Sequence, residues 1–248
     1  GDAVLLREPG GRTMLVDGGP DPRRILKRLR AHGVRRLDVV VLTHSHADHV
    51  DGLVAAIDRY PVGVALDAGE EPGEGSGPRY PGYLARLRAR RIQRRIVRAG
   101  AAFAFGDARV DVLGPAELFA GTDSDPNNNS VVLRVSYGPA CALLTGDVQE
   151  EAQDALLSSN TPALRCAVLK APHHGSRRVL REFYEATRSR YAFVCVGPND
   201  YGHPAIGTVR MMAELGMRVF RTDRDGDAGI TIAPDGTLQP SAVRTRAA

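Results

Sequence analysis

Lysine is almost absent: Lys27 and Lys170 are the only two among 33 basic residues. The rest are arginine, a skew that reflects coding composition and by itself says little about function. Cysteine is also scarce. Cys141, Cys166 and Cys195 are widely spaced, each in an apolar run, and no two form a CxxC pair. An odd count at this spacing argues against a disulfide framework and against a thiolate zinc site, so three buried thiols are expected. No stretch reaches the roughly eighteen apolar residues of a membrane span, and no signal-peptide pattern opens the chain. Gly1-Asp2-Ala3 leads straight into Val4-Leu5-Leu6, so the chain is expected to be excised from something longer. Acid is missing locally. Between Gly75 and Gly106 lie Arg79, Arg86, Arg88, Arg90, Arg91, Arg94, Arg95 and Arg98, with no Asp or Glu. That stretch carries +8 against +4 for the whole chain, so the basicity is a local patch.

What is present fits one large α/β domain. The 248 residues are 43% hydrophobic and 25% charged, enough to bury a sizeable core. Strands are expected at 4–8 and 13–16, around a Pro9-Gly10-Gly11 turn, and at 37–42, 62–66, near 96, 110–113, 131–135, 140–144, 164–169, 191–196, 218–221 and 229–232. Helices are expected from a cap at Asp21 to Gly33, from Val50 onward with apolar residues at i, i+3, i+4 and i+7, and at 83–91, 149–157, 179–186 and 206–215. Residues 67–81 read as a Gly/Pro-rich loop. Residues 1–238 read as one domain of two helix-covered sheets, and 239–248 as a polar tail without pattern.

The chemistry concentrates at strand ends. Thr43-His44-Ser45-His46-Ala47-Asp48-His49 follows the apolar Val39-Val40-Val41-Leu42. Residues two apart on extended chain project to one side, so His44 and His46 can grip one ion while Asp48 and His49 serve another. Imidazole and carboxylate are ligands for Zn, Mn or Fe. Asp147 follows Ala142-Leu143-Leu144-Thr145-Gly146, His173-His174 follows Val168-Leu169-Lys170-Ala171-Pro172, and His203 also lies past an apolar strand. Only His32 of the seven histidines sits elsewhere. Scattered core histidines would not be distributed this way.

Thr-His-x-His-x-Asp-His at 43–49 and Leu-Thr-Gly-Asp at 144–147 resemble the metallo-β-lactamase superfamily. Gly1-Asp2-Ala3, Leu15-Val16-Asp17-Gly18-Gly19, Asn127-Asn128-Asn129-Ser130, His173-His174-Gly175-Ser176 and Tyr201-Gly202-His203-Pro204 narrow the likeness. Taken in order they resemble the C-terminal domain of the ComEC family, the DNA-uptake channel proteins of natural competence. The resemblance implies a four-layer αββα sandwich lacking its first strand, and two divalent ions, Mn or Zn. His44 and His46 would hold the first ion, Asp48 and His49 the second, Asp147 would bridge, and His174 rather than His173 would complete the second. Asp2 and Asp17 would orient ligand histidines. Where superfamily members often carry a third histidine, this chain has the asparagine run. Either Asn129 is a weaker, harder ligand there, or the run is a turn opening the next strand.

Two ions roughly 3.5–4 Å apart would activate a hydroxide to attack phosphorus, with Asp48, His173 and His203 as candidate catalytic groups. The function implied is a metal-dependent nuclease that degrades the non-transported strand during DNA uptake. Arg79, Arg86, Arg90, Arg94 and Arg95 would track the DNA backbone, unless the patch is only a solvated helix face. The partners implied are DNA, the membrane channel and OB-like domains of a parent protein, and the uptake machinery, on the extracytoplasmic side of a bacterial membrane. A small-substrate phosphodiesterase or esterase and a catalytically weak DNA-binding module are the alternatives. The His-His-Gly-Ser pattern and the asparagine run point away from a β-lactamase.

Overall fold

A computed structural model describes residues 1–71 and 77–243. Residues 72–76, inside the expected loop, and 244–248, at the end of the expected tail, lie outside the described residues. Five strands form the first sheet in chain order: β1 (Val4–Arg7), β2 (Thr13–Val16), β3 (Leu37–Val41), β4 (Val62–Asp67) and β5 (Gln93–Ile96). Only the β1–β2 pair is antiparallel. The second sheet contains β6 (Ala102–Phe105), β7 (Ala108–Gly114), β8 (Val132–Tyr137), β9 (Ala140–Leu144), β10 (Val168–Lys170), β11 (Tyr191–Val194) and β12 (Arg218–Arg221). Its order is also sequential, antiparallel from β6 to β9 and parallel from β9 to β12.

Side-chain alternation along these strands makes the layers. Successive residues of a strand point to opposite faces. Met14, Val16, Val39 and Val41 therefore pack between the sheets against Val110, Val112, Leu133 and Leu144. Leu15 and Val40 face outward into a second cluster with Ile25, Leu29, Leu53, Ile57 and Leu87. Those residues come from α1 (Pro22–Ala31), α2 (Ala47–Arg59) and α3 (Tyr80–Ala89). After the short α4 (Asp125–Asn128), α5 (Glu150–Leu164), α6 (Arg181–Thr187) and α7 (Ile206–Glu214) cover the other sheet. Leu156, Phe183 and Met212 there meet Leu143, Leu169 and Val194. This is the αββα sandwich, three cores between four layers.

Asp21 caps α1, its side chain accepting from the amides of Arg23 and Arg24. Three sequence expectations need correction. Cys141 and Cys166 are not free thiols but a disulfide, with Cα atoms 4.9 Å apart. Their 25-residue separation hid the pair, because only the parallel β9–β10 neighbourhood brings them together; Cys195 alone is free. The tail is not patternless: beyond α8 (Thr222–Asp225), β13 (Asp227–Ile232) pairs with β14 (Leu238–Val243) as an antiparallel hairpin. The asparagine run is not a simple turn either, since Asn127 and Asn128 lie in α4.

Parallel strands share an orientation, so β2 and β3, and β9, β10 and β11, each deliver their C-terminal loops to one edge. The two edges meet where the Val131 amide donates to Thr43 O at 2.9 Å. A close glycine contact fixes the β2 loop on α2. A Cβ on Gly52 would lie 1.9 Å from Gly18 O, and one on Gly18 1.8 Å from the Leu53 nitrogen. The Gly52 amide donates to Gly19 O, and that of Gly18 to His49 O, both at 2.9 Å. Gly52→Ala is expected to push the β2 loop off α2. The apparent affinity for divalent ions should fall about 10–100-fold, the usual cost of disturbing a ligand's orienting partner. Calorimetric titration checks this, and unchanged affinity would detach the glycine contact from the site.

Candidate metal centre

Loop ends bring six imidazoles and four carboxylates together. Asp147, 2% exposed, occupies the middle. Its Oδ2 is 3.0 Å from His174 Nε2, 3.2 Å from His49 Nε2 and 3.9 Å from His44 Nε2. Asp48 Oδ2 lies 3.2 Å from His174 Nε2 and 3.7 Å from His49 Nε2. His44 Nε2 and His46 Nδ1 approach to 3.2 Å. Ligating atoms of Asp2, His49, Asp147 and His174 all lie within 4.8 Å of one another.

The outer ring nitrogens are tied down. Asp17 Oδ2 is 2.8 Å from His49 Nδ1 and also accepts from the Thr43 hydroxyl at 2.7 Å. Asp2 Oδ1 is 3.1 Å from His174 Nδ1. His44 Nδ1 faces the hydroxyls of Thr43 at 3.1 Å and Ser130 at 3.4 Å. With Nδ1 engaged, each Nε2 is left for the centre. Among the described residues His49 Nε2 and His174 Nε2 make no well-aligned hydrogen bond and meet only the carboxylate oxygens of Asp147 and Asp48, at 3.0–3.7 Å, an arrangement that suits nitrogens able to share a metal with those carboxylates. A donor set of nitrogen and carboxylate oxygen with converging atoms fits divalent cations, and the buried Asp/His group could hold them.

His174 reaches the centre through a strained turn. His173, His174 and Gly175 have φ of +45°, +53° and +74°, left-handed values that are uncommon outside glycine. The turn separates the pair: His174 faces Asp147, whereas His173 lies 5.1 Å ring-to-ring from His203 and 3.3 Å from the Gln149 amide nitrogen. Tyr201, 82% exposed, stands beyond His203 with ring centroids 6.2 Å apart.

Charge follows from these contacts. Burial opposes protonation of His49, but Asp147 and Asp17 overcome it and raise its pKa well above the usual range. His174 is likewise raised to about 10, against burial, by Asp147 and Asp2. Burial lowers His44 and His46, pushes His173 down to about 4, and lowers His203. Asp147 is held well below the usual carboxylate range; burial opposes this, but His174, His49 and Lys170 prevail. Without metal, two imidazolium ions surround Asp147.

The asparagine run needs a closer reading. Asn129 spends its amide on Phe119, accepting from the backbone nitrogen at 2.6 Å and donating to the carbonyl at 3.2 Å. It is committed to that backbone segment. Asn127 instead lies within hydrogen-bonding reach of His46, and among the described residues its buried Oδ1 has no well-aligned hydrogen bond. A two-residue step, from Asn127 in α4 to Asn129 at its C-cap, decides which asparagine approaches His46, and composition carries no signal for it. Sequence reasoning also missed Lys170, 3% exposed. Its Nζ donates to Gly146 O at 2.7 Å, to Asp147 Oδ1 at 3.2 Å and to Asp2 Oδ2.

The arginine patch is not the unopposed field that its composition suggests. Arg94 is half-buried and forks onto Asp67, both distances 2.7 Å, with Tyr80 Oη 2.6 Å away; it is committed to the fold. Arg79 pairs with Asp51 at 3.4 Å, Arg86 with Asp58 at 3.1 Å, and Arg90 donates to Asp58 O at 3.0 Å. Arg95 is exposed and, among the described residues, donates to Gln93 Oε1 at 3.4 Å. Arg79 follows two residues after Gly77, whose amide donates to Ser45 Oγ in the histidine loop at 2.7 Å.

Comparison with known proteins bears on the family and the fold. The model of the "Metallo-beta-lactamase superfamily" matches residues 1–197. "ComE operon protein 3" of Bacillus subtilis (strain 168) is 28% identical over 247 residues, covering 91% of this chain and 31% of that protein. "Competence protein ComA" of Neisseria gonorrhoeae is 32% identical over 231 residues, again 91% of this chain and 30% of that protein. The chain thus spans about a third of the length of these relatives. The "metallo-beta-lactamase fold protein YhfI" of Bacillus subtilis superposes with a TM-score of 0.55 at 11% identity, covering 97% of this chain and 91% of that one. At that identity the likeness concerns the fold.

Proposed function

We propose, from the premise that the chain belongs to the metallo-β-lactamase superfamily, that it is a metal-dependent nuclease acting on DNA during competence-linked uptake. The observation that carries this reading is Asp147 Oδ2, on which the Nε2 atoms of His174, His49 and His44 converge at 3.0, 3.2 and 3.9 Å. His44, His46 and Asn127 would hold one ion, replacing Asn129 in that role, and Asp48, His49 and His174 the other, with Asp147 shared. Mn or Zn suits the nitrogen and oxygen donors. Two such cations, when bound, supply a nucleophilic water at neutral pH and neutralise phosphate charge.

The chain's own residues do the rest. Asp17 and Asp2 fix the rings of His49 and His174. His203, kept neutral by burial, would donate a hydrogen bond to a phosphoryl oxygen or the leaving oxygen, and neutral His173 beside it would face substrate. Exposed Tyr201 offers a face on which a nucleobase can stack, an interaction that serves single strands of any sequence. Arg79 and Arg95 are the arginines best disposed to reach the phosphate backbone, with Arg86 and Arg90 farther along α3. The Cys141–Cys166 bridge supports an extracytoplasmic location, where disulfides persist. There the domain would degrade the strand that is not transported, beside the channel and OB-like domains of a parent protein.

Hydrolysis of single- and double-stranded DNA with Mn(II), Zn(II) or Mg(II) tests the reading. Activity with Mn(II), abolished by EDTA, is expected. Protein that binds both ions yet leaves every DNA intact would instead be a binding module. Turnover confined to choline-phosphate esters or cyclic nucleotides would make it a small-substrate esterase.

A further inference from the structure

Lys170 is a buried ammonium with three protons and three oxygen acceptors: Gly146 O, Asp147 Oδ1 and Asp2 Oδ2. A charge with 3% side-chain exposure is costly unless it is paired and fully hydrogen-bonded, and here both conditions are met. Its contacts divide the two carboxylates. Asp147 gives Oδ1 to Lys170 and turns Oδ2 toward His174, His49 and His44. Asp2 gives Oδ2 to Lys170 and Oδ1 to His174 Nδ1. One cation therefore touches the bridging carboxylate directly and His174 through Asp2.

We propose that Lys170 is a positioning residue that commits Asp147 to a one-atom bridge, leaving Oδ2 alone to serve both ions. A free carboxylate can span two cations with its two oxygens, which sets them farther apart than a single shared oxygen does. By occupying Oδ1, Lys170 removes that alternative and keeps the two halves of the site close. Through Asp2 it also fixes the plane of His174, so both of its contacts serve the same ion pair. The inference rests on the dimetal reading above, but not on DNA being the substrate.

Electrostatics and positioning predict opposite signs, which makes the role testable. Taking one positive charge away from beside two dications removes a repulsion, so a lysine that only balanced charge would, on removal, let metal bind more tightly. A positioning lysine does the reverse. In Lys170→Met, titrated with Mn(II) in the absence of DNA, the second ion is expected to bind at least tenfold more weakly. The electron paramagnetic resonance signal of a coupled Mn(II) pair should fade. Lys170→Arg, which keeps donors and charge, should recover part of both. Tighter or unchanged binding in Lys170→Met overturns the proposal. Should that variant fail to fold, the structure of the Mn-loaded wild type decides. Oδ2 contacting both ions with Lys170 still on Oδ1 supports the proposal, and one Asp147 oxygen on each ion sinks it. Wild-type protein that takes up no ion pair would sink the dimetal reading itself, and with it this inference.

Discussion

Asp147→Ala is expected to empty both halves of the centre together, and to lower DNA hydrolysis by at least about a thousandfold, about 4 kcal/mol of barrier. Asp147 Oδ2 lies within reach of the Nε2 atoms of His44, His49 and His174 alike, at 3.9, 3.2 and 3.0 Å. On the dimetal reading its loss would deprive each ion of a charged ligand. It also strands Lys170, since Asp147 Oδ1 is one of the acceptors of that buried ammonium. Breaking a buried pair by removing one partner costs roughly 3–5 kcal/mol, so the variant should melt earlier as well. Asp147→Asn separates the two effects, because it keeps the volume and one acceptor oxygen while removing the charge. Elemental analysis after chelation and reloading checks the prediction. Full occupancy in either variant would end the bridging role, whereas Asp48→Ala should deplete mainly the second ion.

Much of this cluster is legible in the sequence because its candidate ligands obey one local rule: each follows a buried strand. His44, His46, Asp48, His49, Asp147 and His174 all sit at such ends, and apolar runs announce strands reliably. The alternation Met14, Leu15, Val16 and Val39, Val40, Val41 likewise reveals strands buried on both faces, hence two sheets with helices outside. What stays hidden depends on pairings across the chain. Lys170 looks like one of two stray lysines until β9 and β10 lie side by side. The Cys141–Cys166 bridge depends on the same neighbourhood. The arginine patch reads as unopposed because its partners, Asp51, Asp58 and Asp67, come from α2 and β4, outside the window that lacks acid. Asn127 and Asn129 differ only in which way a short helix turns them. Charge balance and helix register are tertiary facts, and a linear pattern does not carry them.

Metal affinity should climb steeply with pH, about tenfold per unit for each proton that binding displaces. In the metal-free protein His174 titrates at about 10, and His49 is raised well above its ordinary range, so both are imidazolium at pH 7. A cation entering beside Asp147 must expel those protons before either Nε2 can serve as a ligand. Between pH 6.5 and 8.5 the affinity of the second ion is therefore expected to rise tenfold to a hundredfold per unit. The first ion, next to His44 and His46, should respond little, because burial already lowers both pKa values. Stability of the metal-free protein should move the other way. A histidine whose folded pKa lies above its unfolded value of about 6.5 stabilises fully below that value and loses its contribution as pH rises toward 10. The carboxylates Asp2, Asp48 and Asp147 are depressed, so their contribution is constant across this window and is lost only in acid. Melting temperature should accordingly fall with pH in metal-free protein and hold or rise in metal-loaded protein. Calorimetry in two buffers of different ionisation enthalpy counts the released protons directly. Release near zero at pH 7 would mean that His49 and His174 are already neutral, and that carboxylates rather than protons balance the empty centre.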